Sequence, residues 1–441
     1  MASDAAGQEE LVVVGGGVAG LVAARRLALN GLRVTVLEAS GRFGGQLAAH
    51  RLAGAELDAG AESFATRGSA VAALLRELGL GERIVTPRPS PAWVYRPDGR
   101  AVALPATAVL GIPAQPLAAD VVRAIGLPAA LRAWGDRLLP RGAGAHAASL
   151  GELVRRRMGR GVLEGLVAPI VRGVHSREPG AVPVETASPR LRELLRRHGS
   201  LARAVAAVRA SAPAGSQVAG IAGGVFQLAQ ALHADCERLG VRLRPNSRVE
   251  AVRPDGVQVD GQPIAAPVLL AAADPGAEAP ARRRITLVTL VARAPALDAA
   301  PRGSGLLVAP GAPGVRARAL THLSAKWSWV RQALPGLHAL RLSYDGDPFG
   351  GDEDAARGTA AADAAVLLGV PLDGIVDGDV LHWERPLGGS GACAAAGQGR
   401  EAPVRAGELV AGTGLAAVVT QAEEAAARIV QALSGNEAGR R

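Results

Sequence analysis

Three glycines at a fixed spacing carry the clearest chemistry in this chain. Gly15-Gly16-Gly17-Val18-Ala19-Gly20 reads G-x-G-x-x-G. Each position has a physical task. Gly15 permits a tight strand-to-helix turn. Gly16 and Gly17 let main chain approach a pyrophosphate with no Cβ in the way. Gly20 lets the following helix lie close on its strand. The helix start, with Ala19 in its first turn, directs free N–H groups and a positive dipole end at the phosphates. Glu38 stands 18 residues beyond Gly20. A carboxylate there accepts hydrogen bonds from a ribose diol and repels a 2′-phosphate. An ordinary glycine-rich turn is the competing reading, and it gives no reason for the acid. A second arm, Glu38-Ala39-Ser-Gly-Arg42-Phe-Gly44-Gly45, brings two more glycines and a guanidinium toward the same pyrophosphate.

These groups work only if the right elements hold them. Glu10–Val14 is a short apolar, β-branched run bounded by glycine, which predicts a buried parallel strand. Leu21–Leu29 predicts a helix closed by Gly31, and Arg33–Leu37 a second strand ending at Glu38. Further on, Val71–Leu80 predicts an amphipathic helix, with weaker helical stretches at 117–126 and 129–138. Ser149 to Leu166 predicts a helix with Ser149 and Glu152 as a capping box. Another helix is expected over 189–198. Strand character is absent from the centre of the chain, which predicts a mainly helical lobe over 86–214. Gly223-Gly224 turns into a helix, and strands are expected at 241–243, 248–252, 257–259 and 268–273. Strands at 285–291, 305–308 and 340–343 predict a second, mixed sheet. Glu408–Gly412 is expected as a short strand into a turn, and 418–433 as the closing helix. The expected fold is α/β. A discontinuous Rossmann-type domain takes residues 1–85, 215–280 and 385–441, the helical lobe 86–214, and a mixed-sheet substrate domain 281–384.

The chain has 441 residues, enough for two or three domains, with 49% hydrophobic and only 2% aromatic residues. Small side chains must therefore do most of the packing. The net charge is +9, and Lys326 is the only lysine among the basic residues. No basic tail, aromatic-interleaved basic helix or nucleic-acid motif accompanies that charge, so no nucleic-acid partner is expected. The clusters Arg155–Arg157, Arg196–Arg197 and Arg282–Arg284 each read as a solvated helix face. The sharper alternative is a field attracting a polycarboxylate or an anionic membrane surface. Cys236 and Cys393 form neither a disulfide framework nor a metal pattern, and inert thiols in a reducing compartment are expected. No apolar run is long enough to span a bilayer, which predicts a cytoplasmic protein and leaves peripheral membrane contact open.

The second glycine arm resembles the amine-oxidase-like FAD superfamily, which implies FAD as cofactor. Asp58-Ala-Gly60-Ala61-Glu62-Ser63-Phe64 is similar to that superfamily's next turn, near the isoalloxazine. Three longer segments resemble one family within it, the FAD-dependent protoporphyrinogen/coproporphyrinogen oxidases of haem synthesis. They are Gly60–Phe64 with Arg67 and Glu77-Leu-Gly-Leu80, then Ser149–Gly159 continuing to Pro169 and Val174, then Gly303–Val308 with Thr321–Trp327. The resemblance implies a porphyrinogen aromatised by FAD in three two-electron steps, with molecular oxygen reoxidising the flavin to give hydrogen peroxide. Bacterial members of this type favour coproporphyrinogen III, and a ferrochelatase-type enzyme would be a pathway partner. Hydride leaves a bridging carbon for the flavin, so geometry and exclusion of water matter more than an acid–base pair.

On this resemblance Arg67 anchors a substrate carboxylate and Lys326 assists the flavin as a compact ammonium. The competing readings are a solvated loop arginine and a lysine kept by chance. His175 and His322 read as structural. Val249, Trp383, Gly412 and Gly414 are carried over as FAD-contacting positions. Leu387–Gly397 is low-complexity where the family has an aromatic-containing stretch, and the turn Ala411–Leu415 is several residues short of the family's. Other readings remain: protoporphyrinogen IX as substrate, an amine- or polyene-oxidising flavoenzyme, or a flavoprotein that binds a tetrapyrrole without turnover.

Overall fold

A computed structural model describes residues 10–66, 68–175, 177–210, 218–253, 255–277, 282–372, 374–386 and 403–438. These fall into two units. The first is drawn from Met1–Pro87, Ser216–Arg284 and Trp383–Arg441, the second from Arg88–Gly215 and Ile285–His382.

The first unit is built on a five-stranded, wholly parallel sheet. Its order is Arg242–Arg244, β2 (Arg33–Leu37), β1 (Glu10–Val14), Val268–Leu270 and Val404–Arg405. Side chains alternate along β1. Leu11 and Val13 join a core with α1 (Val18–Leu29), the helix Phe226–Arg238 and the closing helix Leu415–Ala438. Val12 and Val14 join Val249, Val257 and Val259 of a three-stranded antiparallel layer on the opposite face. Both faces are thus covered, which is why β1 reads as an uninterrupted apolar run. Ala23 and Ala24 of α1 share the helical core with Ala422, Ala425 and Ala426, so the aromatic-poor composition is met by close helix packing.

The second unit carries a seven-stranded mixed sheet. Its order is Ile375–Pro386, Arg282–Ala292, His338–Asp345, Ala319–His322, Gly305–Val308, Trp93–Tyr95 and Ala101–Ala103. Trp93–Tyr95 runs parallel to Gly305–Val308, whereas the pairs from Arg282–Ala292 to Gly305–Val308 are antiparallel. The region expected to lack strands therefore supplies two of them. Each is three residues long, too short for alternation to show. The expected helical lobe and the expected substrate domain lie together in this unit.

One helix expectation and one strand expectation need correcting. Ser149–Leu166 is not one helix. Leu150–Met158 stops at Gly159, whose φ of +89° turns the chain before Arg160–Val162 and the wider turn Leu163–Val167. Glu408–Ala411 is a helical turn rather than a strand. The strand there is Val404–Arg405, and Gly407 at φ +100° separates the two. The cluster Arg155–Arg157 is also not uniformly solvated. Arg157 is fully buried, bonded to the Asp136 carboxylate and to the carbonyls of Asp136, Ala143 and Gly199. The Arg282–Arg284 cluster sits on a strand, where Arg284 pairs with Glu384 at 3.4 Å.

Candidate functional site

The C-terminal ends of the parallel strands converge within the first unit. Gly15 follows β1, Glu38 follows β2, Ala271–Ala272 follow Val268–Leu270, and Gly407 lies two residues past Arg405. In an open parallel sheet this edge is where a ligand binds. Contacts hold it together: a Cβ on Gly15 would stand 2.9 Å from Ala272 Cβ, and one on Gly407 would stand 3.4 Å from Ala19 Cβ.

The four glycines of the first loop separate into two kinds. On Gly20 a Cβ would lie 1.9 Å from the Gly15 carbonyl oxygen, and on Gly16 it would lie 2.4 Å from Phe43. Gly15 has φ +101°. These three are glycine because the protein itself leaves no alternative. Gly17 is different. Its φ of −71° and ψ of −179° suit any residue, and an added Cβ would approach nothing nearer than Gly45 Cα at 3.9 Å. Packing does not require glycine there, so the open space is room for a ligand. Gly17 is also the N-cap of α1 and makes no side-chain capping bond. The first helical bond runs from Leu21 N–H to Gly17 O, which leaves the N–H groups of Val18, Ala19 and Gly20 without an acceptor inside the helix. Main-chain donors, a dipole end and a gap over Gly17 together fit a pyrophosphate.

The second arm closes on the first. Gly44 N–H donates to Gly16 O at 2.8 Å, and Gly17 and Gly44 form a parallel bridge. Gly44 at φ +105° packs beside Ala229, and Gly45 faces Gly17. Arg42 donates to Gly45 O at 2.8 Å, so its exposed guanidinium is tethered beside the loop. Glu38 is half-buried. One carboxylate oxygen accepts from Gly16 N–H at 2.8 Å, the other from Ser40 N–H at 2.8 Å and Ser40 Oγ at 2.7 Å. The acid is thereby oriented, with lone pairs left for ribose hydroxyls. Ala39 beside it is exposed.

Other expected positions fall as follows. Gly60, Ala61, Glu62 and Ser63 form the link between the strands Ala55–Asp58 and Phe64–Ala65, with Gly60 buried. Val249 opens the antiparallel layer, its side chain in the core. Trp383 lies half-buried on Ile375–Pro386. Gly412 ends the helical turn at φ +78° and Gly414, at φ +116°, precedes the closing helix. A depression of about 460 Å³, lined by Ala65, Ala411, Thr413, Gly414, Ala417 and Gln421, opens at that helix start. Arg67 and the stretch Leu387–Gly397, Cys393 included, lie outside the described residues, as does the His175 side chain. Lys326 ends the short helix Leu323–Lys326 of the second unit, its Nζ 5.3 Å from the Trp327 ring centre.

Three positioning residues were not legible beforehand. Buried Asp58 accepts from Phe226 N–H at 2.9 Å and so fixes the start of the helix Phe226–Arg238. Gln421 clamps the last turn, accepting from Gly407 N–H and donating to Arg405 O, both at 2.9 Å. Gln46 reaches Glu408 at 3.0 Å. Their partners are 168, 14 to 16 and 362 residues away, and no local spacing announces such pairs.

Titratable groups outside the loop show what each unit buries. At the far end of α1, Arg25 contacts Asp235 at 2.6 Å and Glu77 at 2.7 Å. Burial alone would raise both carboxyls, but the bonds from Arg26 and Arg25 to Glu77, and from Arg25 and Arg238 to Asp235, outweigh it and hold both below their usual range. Burial pushes the Cys236 thiol up to about 12, so it is inert at neutral pH. In the second unit His322 Nε2 and His338 Nδ1 are 3.1 Å apart. Burial first, then His338 and Arg331, lowers His322 to about 3. Among the described residues no cluster suits a metal ion.

The model of the family described as flavin containing amine oxidoreductase matches residues 18–305. The chain belongs to that family. FAD is its cofactor, and the dinucleotide loop above is where this flavin oxidoreductase would hold the pyrophosphate. Among curated relatives, the coproporphyrinogen III oxidase of Propionibacterium freudenreichii is 28% identical over 353 residues, covering 69% of this chain and 67% of that protein. The Mycobacterium bovis coproporphyrinogen III oxidase is 29% identical over 401 residues, covering 84% and 85%. Among solved structures, the protein named "Putative protoporphyrinogen oxidase" from Exiguobacterium sp. 255-15 superposes with a TM-score of 0.81 at 24% identity, covering 96% of this chain and 99% of its own. That likeness shows the α/β fold alone. Among the described residues no helix is long and apolar enough to cross a membrane.

Proposed function

We propose that this flavoenzyme oxidises coproporphyrinogen III to coproporphyrin III in haem biosynthesis, with molecular oxygen as the final acceptor. The observation that carries the reading is likeness to coproporphyrinogen III oxidases along 84% of the chain, joined to a glycine loop open at Gly17. Bound FAD supplies a two-electron acceptor, used once for each of three oxidations of the macrocycle. The protein's own part is mostly positional. The α1 N-terminus and the Gly44-Gly45 arm would grip the diphosphate, Glu38 the ribose, and Gln421 the turn that carries Gly412 and Gly414. Binding through main-chain dipoles costs little reorganisation, which suits a reaction limited by geometry. Arg67 is proposed as the anchor for a propionate of the substrate, and Lys326 as the catalytic ammonium. The remaining assigned positions, Ala39, Gly60, Ala61, Glu62, Ser63, Val249 and Trp383, are proposed FAD contacts.

The deciding assay supplies FAD-loaded protein in air with coproporphyrinogen III or protoporphyrinogen IX and follows porphyrin fluorescence and oxygen uptake. Faster porphyrin formation from coproporphyrinogen, with oxygen consumed, is the expected result. Preference for protoporphyrinogen would move the substrate. Loaded protein that makes neither porphyrin would end the reading.

A further inference from the structure

The one-turn helix Leu323–Lys326 of the second unit is pinned by its surroundings. Ahead of it His322 N–H donates to Ser304 O at 2.9 Å, and at its end Arg88 N–H donates to Lys326 O at 2.8 Å. Buried Ser324 Oγ accepts from Ala339 N–H at 2.9 Å, and Trp327 just beyond the helix is buried. Four residues make no stable helix alone, so these tertiary bonds set where Lys326 stands.

His322 is the N-cap of that helix and is 1% exposed. Its Nε2 lies 3.1 Å from Nδ1 of His338, which is 4% exposed. His338 Nε2 faces the Asp298 carboxylate at 3.6 Å, and Arg331 holds that carboxylate at 2.9 Å. The Asp298 side chain is 60% exposed, so the row runs from solvent into the interior. The row fixes its own tautomers. An ionised carboxylate only accepts, which favours a hydrogen on His338 Nε2. His338 Nδ1 is then bare and accepts from His322 Nε2–H. His322 Nδ1 is left with an open lone pair. That nitrogen is buried and has no hydrogen-bonding partner among the described residues. Burial disfavours the charged form of both rings, which keeps the lone pair open at neutral pH. A histidine kept only for packing would have both ring nitrogens satisfied.

We infer that Asp298, His338 and His322 form a proton relay between solvent and the part of the second unit that carries Lys326. The inference rests on the proposed porphyrinogen oxidation and gives that reaction a proton path. In each two-electron step a C–H bond of a bridging carbon breaks, and its hydrogen leaves with both electrons for FAD. A pyrrole N–H bond breaks as well, and His322 Nδ1 accepts its proton. As that N–H bond forms, Nε2 passes its hydrogen to His338 Nδ1, and His338 Nε2 releases its own to solvent beside Asp298. Reduction of oxygen to hydrogen peroxide then takes up one proton for each hydride received, and the relay runs backward. Both imidazoles regain their starting tautomers without turning over.

The test uses FAD-loaded protein and follows bleaching of the flavin by coproporphyrinogen III without oxygen. His322→Gln keeps an N–H for His338 Nδ1 but cannot pass a proton. It should slow bleaching by about a hundredfold, with KM little changed. Asp298→Asn, at an exposed position, should slow it by about threefold or more. Imidazole buffer should speed both variants and leave the unmodified protein as it was, a rescue that a merely structural loss would not show. Flavin content and melting temperature of the variants confirm folding. Nitrogen NMR of isotope-labelled histidines, with or without FAD, should find His322 carrying hydrogen on Nε2 and none on Nδ1. Hydrogen on Nδ1 overturns the inference. So does an unaltered bleaching rate in either variant, or a slowed rate that imidazole does not raise. Unmodified protein that neither porphyrinogen bleaches would end the proposed function and the relay with it, whereas normal bleaching in the variants ends the relay alone.

Discussion

The strand-end edge of the first unit and the interior of the second handle polarity in opposite ways. In the first, the working groups at the strand ends are mainly backbone amides, oriented by glycines, with Glu38 as the chief side-chain addition. In the second, buried polarity is carried by side chains that satisfy one another. Arg157 and Asp136 lock three segments together, and Asp363 accepts from Arg316 N–H, Ala317 N–H and the Tyr344 hydroxyl. A backbone site is written in residues that are absent, the Cβ atoms removed at Gly15, Gly17 and Gly20. A side-chain lock is written in residues that are present but far apart.

The contrast can be broken first within a single loop. Gly20→Val should prevent folding of the unit, because its Cβ has no room beside the Gly15 carbonyl. Gly17→Val should fold, since its backbone angles are ordinary and the nearest atom is at 3.9 Å. It should nevertheless lose FAD affinity by about a hundredfold or more, because the side chain takes the phosphate's place. Circular dichroism and flavin absorbance of the purified variants separate the two effects. A Gly17→Val protein that keeps its yellow colour would show that the gap is not the phosphate site. The next largest effect belongs to the second unit. Arg157→Ala should cost about 3–5 kcal/mol in denaturant unfolding, since it leaves the Asp136 carboxylate buried without its cation. A cost near that of a surface arginine, under about 1 kcal/mol, would contradict the lock.

What could be read in advance follows the same line. The motif from β1 to Gly45 was legible residue by residue because strand, turn, helix and acid are neighbours in sequence. Gly305–Val308 and two of the three strands of the antiparallel layer, Val249–Arg253 and Gly256–Val259, were also legible from short apolar runs between turn residues, whereas Gln262–Ala265 was not expected. The capping box at Ser149 was read correctly at its serine: Ser149 Oγ accepts from Glu152 N–H at 3.2 Å, and Glu152 answers at Ala148 N–H. The break at Gly159 was missed because a glycine inside a helical pattern is ambiguous until its φ is known. The strand Trp93–Tyr95 was missed because it is three residues long, although it pairs with Ala101–Ala103 nearby as well as with Gly305–Val308 more than 200 residues away. Arg157 looked like its neighbours Arg155 and Arg156, and only the tertiary fold turns it inward.

Acid should separate the units. His322 titrates near 3 in the folded chain against about 6.5 unfolded, so the unfolded state binds more protons between those values. The stability it contributes is complete above about pH 6.5 and falls by roughly 1.4 kcal/mol per pH unit toward pH 3. His338, lowered by burial against the opposing pull of Asp298, acts in the same direction. Glu77 and Asp235 of the first unit are lowered carboxyls, so their contribution persists until the pH falls below their ordinary range near 4.5 and 3.8. The second unit should therefore lose stability about two pH units earlier on acidification. His322→Gln should flatten its slope between pH 6 and 4, measured by urea unfolding at fixed pH. An unchanged slope would remove the buried imidazole from the explanation.

The smallest effect is the most pointed, because it sets two helix starts against each other. Leu150–Met158 begins at a serine whose side chain caps it, whereas α1 begins at Gly17 with no side-chain cap. Ser149→Ala should cost about 1 kcal/mol whether or not FAD is present. Gly17→Ser does the converse. It gives α1 the cap it lacks, worth only a few tenths of a kcal/mol to the cofactor-free protein. The new hydroxyl then takes N–H groups that would otherwise serve the phosphate, so the melting curves with and without FAD should draw together. If they stay as far apart as in the unmodified chain, the open helix end is not what holds the cofactor.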